Sequence, residues 1–132
     1  MYVTLTYSLA KEGEREAIEY FKVREFASKD GEDLIRISPA LLDVLHDIRH
    51  HFHAPVIVTS AFRTKSHNKK VGGAKKSTHL VGIAADIMVK GVAPAKVAAY
   101  ADTLLPESGG IGQYKNFVHI DVRHEKARWN GI

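Results

Sequence analysis

The stretch that decides the fold is STHLVGIAAD, residues 77–86. It places two metal-binding side chains, His79 and Asp86, seven positions apart in a segment that is otherwise mostly small or apolar. Seven residues of α-helix rise about 10 Å, which is too far for two ligands of one ion, and an odd separation along a strand puts side chains on opposite faces. The two side chains can therefore meet only if the backbone turns between them. We predict a loop ending at His79, a chain reversal near Gly82 and a strand over ADIMV.

A second polar pair lies in FVHIDVRH, residues 117–124. His119 and Asp121 are two positions apart, so a strand would place both on one face and turn Val118 and Ile120 to the core. A buried carboxylate without a partner is costly, which indicates a metal or a hydrogen-bonded site. Two histidines and one carboxylate are a known catalytic zinc set, with the fourth position left for water. The spacing alone leaves two interpretations open, a metal site and a pair of hydrogen-bonded core histidines.

The remaining patterns predict an α+β fold, with a small, mainly antiparallel sheet and flanking helices. SPALLDVLHDIRHHFH is typical of a helix with an N-cap at Ser38 and a proline at its first position, and PAKVAAYADTLL predicts another helix. Shorter segments predict a short helix over SHNKKVGG stopped by Gly72, strands over VIVTSA and AADIMVK, and a hairpin of GGIGQY and FVHIDV joined at residues 115–116. Near the N-terminus, YVTLTYSL alternates like a strand, and GEREAIEYFKVREFAS is either a short helix or an extended arm.

Length and composition fit one globular domain, residues 1–132, with residues 1–30 as an N-terminal arm. The chain has no cysteine, so a metal here must bind nitrogen and oxygen ligands. No apolar run approaches the length of a membrane span, and the first residues lack the layout of a secretory signal, so we expect a chain made in the cytoplasm without a transmembrane segment. The net charge of +4 is concentrated in Lys65, Lys69, Lys70, Lys75 and Lys76. This lysine cluster is either a solvated loop or a surface for an anionic partner.

Three segments together resemble a known family: TSAFRT, HNKKVGGAKKSTHLVGIAADI and GGIGQYKNFVHIDVR. They are similar to the zinc D-alanyl-D-alanine peptidases of bacterial and phage cell-wall lysis, which share a fold with lysostaphin-type enzymes and the hedgehog signalling domain. The similarity runs from about residue 56 to residue 129 and depends on the combination S-x-x-R, S-x-H-x(6)-D and H-x-D. It implies that His79, Asp86 and His119 bind one Zn²⁺ and that Arg63 lies near the scissile bond.

The resemblance implies a monomeric zinc metallopeptidase of the D-Ala-D-Ala carboxypeptidase type, acting on peptidoglycan stem peptides or cross-links and not on nucleic acid. An endolysin-like role in phage or prophage lysis, or in a phage tail, would fit the size of the chain. In such an enzyme a carboxylate near the zinc takes the proton of the attacking water. Many relatives carry an acidic residue three positions before the second histidine ligand, where this chain has Asn116. Asp121 is then expected to be either the general base or a partner that orients a ligand histidine.

Further residues are expected to meet the substrate. Arg63 would pair with the terminal carboxylate of the substrate or with the developing oxyanion. Gly73 would allow close approach of the substrate, and Asn68 would hold the loop that contains it. Ser77 would either donate a hydrogen bond to the substrate or cap its own loop, and Tyr114 would line the cleft or pack at its rim.

Two other functions remain as alternatives. A zinc-stabilised cell-wall-binding or interaction module without catalysis is supported by Asn116 alone. A nucleic-acid binder that uses the lysine cluster would show strongly salt-dependent binding, although the chain has no recognisable nucleic-acid motif.

Overall fold

The computed structural model describes residues 2–131 and confirms the predicted α+β class. The helices are α1 (Leu9–Glu12), α2 (Pro39–Phe52), α3 (Lys65–Lys70) and α4 (Pro94–Leu104), with 3-10 helices at Val23–Phe26 and Thr78–Val81. The strands are β1 (Leu5–Ser8), β2 (Glu16–Ile18), β3 (Phe21–Lys22), β4 (Leu34–Ile37), β5 (Val56–Ser60), β6 (Ala84–Val89), β7 (Gly110–Gln113), β8 (Val118–Asp121) and β9 (Ala127–Asn130).

A five-stranded sheet with the order β5-β6-β8-β7-β9 carries the site. Its first four strands pair antiparallel, and β9 joins β7 in parallel, so the sheet is mixed but mainly antiparallel, as predicted. The predicted hairpin is present as β7 and β8, with Gln113 opposite Val118. The pairing of β6 with β8 places Asp86 directly opposite His119. This register brings two distant parts of the sequence to one point.

Helix α2 forms where its capping signals predict it. The Ser38 hydroxyl accepts a hydrogen bond from the Leu41 N–H at 3.3 Å, and Pro39 occupies the first helical position. The helix ends at His53, which is in the left-handed region with φ of 51°. Its apolar face is buried in the core, through Leu41, Leu42, Val44, Leu45 and Ile48. Helix α4 likewise begins at a proline, Pro94, and buries Val97 and Ala101.

Residues 13–28 form β2, β3 and the 3-10 helix Val23–Phe26, so neither a single short helix nor a fully extended arm describes this segment. Strands β2 and β3 form a small hairpin, and the 3-10 helix after them ends at Phe26. Phe21, Val23 and Phe26 are buried in the main hydrophobic cluster, together with residues of α2 and β6. Strand β1 pairs with β4, a strand that was not predicted from the sequence. Among residues 2–131, no helix has both the length and the apolar character needed to cross a membrane.

Candidate metal centre

The chain reverses at Gly82, as the spacing of His79 and Asp86 predicts. The Ser77 hydroxyl caps the 3-10 helix by accepting a hydrogen bond from the His79 N–H at 3.2 Å. Gly82 then adopts a left-handed conformation with φ of 77°, and β6 begins two residues later. A Cβ atom at Gly82 would lie 2.6 Å from the backbone oxygen of Arg36. Glycine is therefore required both for the backbone conformation and for the close approach to β4.

His79, Asp86 and His119 meet at one point in the structure. The distance from His79 Nε2 to Asp86 Oδ2 is 3.3 Å, and that from His119 Nδ1 to Asp86 Oδ1 is 3.0 Å. One ligand atom from each residue lies within 4.8 Å of the other two, and all three side chains are buried. Three separate elements supply them: the second 3-10 helix, β6 and β8. The arrangement could hold a metal ion.

The hydrogen bonds behind the two histidines leave one nitrogen of each facing Asp86. His79 Nδ1 lies 2.6 Å from the carbonyl oxygen of Ala61, which can only accept, so Nδ1 carries the hydrogen and Nε2 faces the site. His119 Nε2 lies 2.8 Å from Asp121 Oδ2 and donates to it, which leaves Nδ1 toward Asp86. Carbonyl and carboxylate partners of this kind fix metal-binding histidines in the required orientation. The donor set of two imidazoles and one carboxylate therefore fits a divalent cation.

The electrostatics of the centre favour charged groups. Burial raises the pKa of Asp86, but hydrogen bonds from His119 and His79 outweigh it and hold that pKa well below its usual range. Burial lowers the pKa of His119, but the hydrogen bonds to Asp121 and Asp86 raise it by more. Without a metal, the two carboxylates therefore favour the protonated form of His119. A cation on its Nδ1 side would replace that proton.

Asp121 is completely buried and accepts hydrogen bonds from four residues. Its Oδ1 accepts from the Gly110 N–H at 3.0 Å and from the N–H and Nε of Arg123 at 3.0 and 2.9 Å. Its Oδ2 accepts from Arg123 Nη2 at 2.6 Å, from His119 at 2.8 Å and from Thr78 Oγ1 at 3.2 Å. Burial raises the pKa of Asp121, but the bonds from His119 and Arg123 hold it well below its usual range. Asp121 is thus a fixed anion behind His119.

Arg63 lies beside the three groups that could hold a metal. Its Nη2 is 3.7 Å from Asp86 Oδ2, while Nε donates to Ser60 Oγ and Nη1 to Asn68 Oδ1, both at 3.3 Å. Asn68 is buried and also donates to the carbonyl of Ala74 at 2.9 Å, so it holds the loop as predicted. A Cβ atom at Gly73 would overlap the Asn68 side chain. The structure thus gives Gly73 a packing role beneath the Asn68 side chain.

Tyr114 reaches the centre only through another aromatic residue. Its ring stacks on Phe117, with centroids 4.4 Å apart, and its hydroxyl accepts a hydrogen bond from Trp129 Nε1 at 3.0 Å. The Trp129 ring in turn lies 5.2 Å from the His119 ring, centroid to centroid. Asn116 is exposed in the turn between β7 and β8.

Three contributors to this site were not predicted from the sequence: Thr78, Arg123 and the carbonyl of Ala61. Arg123 had a readable signal, because it continues the alternation of His119 and Asp121 by two more positions and so shares their face. The contacts of Thr78 and of the Ala61 carbonyl with the site depend on how the 3-10 helix packs against the sheet, and no local sequence pattern predicts that packing.

The fold is α+β, and these three donor groups form a site that could hold a metal ion. The sequence model of the Peptidase M15 family matches residues 17–121. The chain belongs to this family, which confirms the resemblance found in the sequence. The match begins in β2, so it includes much of the N-terminal region as well as the residues that carry the resemblance.

Individual relatives give a similar result. The chain is 30% identical over 107 residues to the probable peptidoglycan L,D-endopeptidase MepK of Haemophilus influenzae, which covers 74% of this chain and 56% of the relative. It is 35% identical over 95 residues to the peptidoglycan L,D-endopeptidase MepK of Escherichia coli K12, covering 65% of this chain and 51% of the relative. The chain therefore spans about half the length of the curated relatives it matches.

Proposed function

We propose that this chain is a zinc-dependent peptidase that hydrolyses peptide bonds in peptidoglycan stem peptides or cross-links. The observation that carries the proposal is the convergence of His79, Asp86 and His119, in a chain of the Peptidase M15 family. The relatives are named as L,D-endopeptidases, which favours an endopeptidase over the D-Ala-D-Ala carboxypeptidase type expected from the resemblance. Action at the cell wall, a phage context and kinship with the hedgehog fold stay predictions.

In this proposal His79 Nε2, the Asp86 carboxylate and His119 Nδ1 hold one Zn²⁺. When bound, zinc supplies Lewis acidity and a water acidic enough to form hydroxide near neutral pH. The chain's own contribution is to fix the two imidazoles from behind, through the Ala61 carbonyl and Asp121. Zinc is the metal that the family resemblance implies, and a set of three nitrogen and oxygen ligands leaves a coordination position for water and substrate, as in catalytic zinc sites.

Of the two roles left open for Asp121, we propose the orienting one. A general base must reach the attacking water and accept its proton. Asp121 is fully buried, its oxygens already accept several hydrogen bonds, and its pKa is held low. These properties suit a carboxylate that fixes the ring of His119 and strengthens its basicity.

Arg63 is proposed to bind the substrate beside the metal. Ser60 and Asn68 fix its guanidinium close to Asp86, where its remaining donor capacity can serve a carboxylate or a developing oxyanion. Direct substrate contacts of Ser77, Gly73 and Tyr114 stay predictions.

Digestion of purified sacculi tests the proposal directly. The zinc-loaded protein is incubated with peptidoglycan, and released muropeptides are identified by mass spectrometry, with His79→Ala as the matched inactive control. We expect loss of cross-linked muropeptides with the wild-type protein alone. A correctly folded, zinc-loaded protein that releases no product from any wall preparation would contradict the proposal.

The second candidate is a wall-binding module in which zinc has only a structural role. It is favoured by the exposed Asn116, which stands where the family resemblance implies an acidic residue in many members, together with the saturated hydrogen bonding of Asp121. It predicts that the protein sediments with sacculi, that chelation lowers its melting temperature and that no muropeptide is released.

A further inference from the structure

A cavity of about 670 Å³ lies next to the metal centre and shares a wall with it. Arg63, Ser77 and Thr78 line this cavity and also contact the centre. Arg63 lies close to Asp86, Ser77 caps the turn that carries His79, and Thr78 Oγ1 lies 3.4 Å from His119 Nε2. A chain bound in the cavity would therefore lie beside the proposed zinc site, although His79, Asp86 and His119 do not themselves line the cavity.

The cavity is strongly cationic. Six basic residues line it, against a single acidic residue, Glu125. Two of the six are engaged at the centre, because Arg123 binds Asp121 and Arg63 lies beside Asp86. The other four are exposed, and within residues 2–131 none of them has a carboxylate at ion-pair distance; they are Arg36, Lys65, Lys75 and Lys76. We call these four residues the basic rim.

The wall between these charges is apolar. Phe62 and Ile83 are buried, Leu34 and Leu80 are half-buried, and Val81 is 45% exposed. A ligand that fits must therefore combine carboxylate or other anionic groups with aliphatic surface. A short peptide with acidic side chains or free carboxyl groups has this composition, and the volume is within the range of small-ligand sites.

We propose that the basic rim binds free carboxylates of the substrate peptide and so makes the enzyme select acidic stem-peptide segments over their amidated forms. This rests on the proposed peptidase function. A nucleic acid is a weaker match, because backbone recognition uses an extended positive groove with exposed aromatic side chains on which bases stack. The aromatic residues that line this pocket are Phe62, which is buried, and Tyr2, which is half-buried and packs its ring on His124. The lysine cluster of the sequence thus divides in two. Lys65, Lys75 and Lys76 face the cavity, and Lys69 and Lys70 do not line it.

That division supplies a matched pair of variants. Lys75→Gln/Lys76→Gln removes two charges from the basic rim. Lys69→Gln/Lys70→Gln removes two exposed charges from α3 that do not line the cavity. The probes are two synthetic stem-peptide fragments of the same sequence. One carries free side-chain carboxylates, and the other carries carboxamides at the same positions. For each protein, kcat/KM is measured for both peptides, and binding of fluorescent versions is measured separately by anisotropy.

We expect the wild-type protein to prefer the carboxylate peptide. The rim variant should lose about fivefold in kcat/KM and affinity for that peptide, as expected for two exposed ion pairs, and little for the carboxamide peptide. The α3 variant should behave like the wild type. The preference should shrink at high salt, because exposed charge pairs are screened.

The outcomes separate the two proposals. Cleavage of both peptides with equal efficiency would overturn the role of the rim and leave the peptidase function standing. Preferential binding of the carboxylate peptide without cleavage would support the rim and contradict the peptidase function. An equal loss in both lysine variants, or displacement of the peptide by a single-stranded oligonucleotide that binds more tightly, would overturn the proposed rim specificity.

Discussion

The metal centre and the basic rim are neighbouring regions built in opposite ways. At the centre, the side chains of Asp121 and His79 are buried and each polar group has a partner. At the rim, Lys75 and Lys76 are exposed and lie without a carboxylate partner among the described residues. A fixed geometry suits bond cleavage, which needs groups positioned within fractions of an ångström. Exposed charges suit the recognition of substrates that differ in their carboxylates, at a smaller gain in free energy.

The largest effect is expected from His79→Ala, which removes a donor from the centre. The variant should lose stoichiometric zinc and all detectable turnover, with both the carboxylate and the carboxamide peptide. Metal content by mass spectrometry of the native protein and turnover assays check this. Retention of tightly bound zinc together with full activity would show that the three residues do not form the metal site.

Asp121→Asn should lower metal affinity and kcat/KM about 10- to 100-fold, as is common when the carboxylate behind a ligand histidine is changed. The loss should be equal for the two peptides, since the residue acts on the centre and not on the rim. Zinc affinity by competition with a chelator is the decisive measurement. A variant that keeps wild-type zinc affinity and loses only turnover would favour the general-base role instead.

Gly82→Ala should destabilise the fold by about 2 kcal/mol or more, because alanine disfavours the left-handed backbone and its Cβ would meet the Arg36 carbonyl. The control is Gly91→Ala, which has nearly the same φ, 75° against 77°, but open space around the added atom. Denaturant unfolding gives both values. The difference between them isolates the contact with β4, and equal losses would mean that the contact is unimportant.

Metal affinity should fall as the pH is lowered, by up to about tenfold per unit below the raised pKa of His119, because a proton at this residue competes with the cation. The stability of the metal-free protein is expected to depend on pH in the opposite direction to metal affinity. There the raised pKa stabilises the fold fully below about pH 6.5, and that contribution is lost as the pH rises through the folded-state pKa. Chelator competition and thermal unfolding between pH 5.5 and about 8 test the two slopes. A pH-independent zinc affinity would contradict the proton competition.

Local patterns were sufficient for the parts of the site that depend on local geometry. The reversal at Gly82 followed from the separation of His79 and Asp86, and the shared face of His119 and Asp121 followed from the period of two along a strand. Helix α2 was predicted from its cap and its proline. In each case neighbouring residues decide the backbone conformation.

Features that depend on distant pairing were missed. Strand β9 joins β7 in parallel, and β4 pairs with β1 across more than 20 residues, which no short pattern encodes. The role of Asp121 could not be chosen from the sequence, because it depends on its burial and on the donors of Gly110, Thr78 and Arg123. The division of the lysines likewise follows from the way the chain encloses the cavity.

The contact between Gly82 and β4 links the N-terminal strands to the chemistry of the centre. The Gly82 carbonyl accepts a hydrogen bond from the Ser38 N–H at 2.9 Å, directly after β4, and β4 is itself held by β1. A proteolytic nick or an inserted tag in that two-stranded ribbon would therefore loosen the turn that presents the His79 imidazole. Fusion partners and affinity tags should therefore be placed outside β1 and β4.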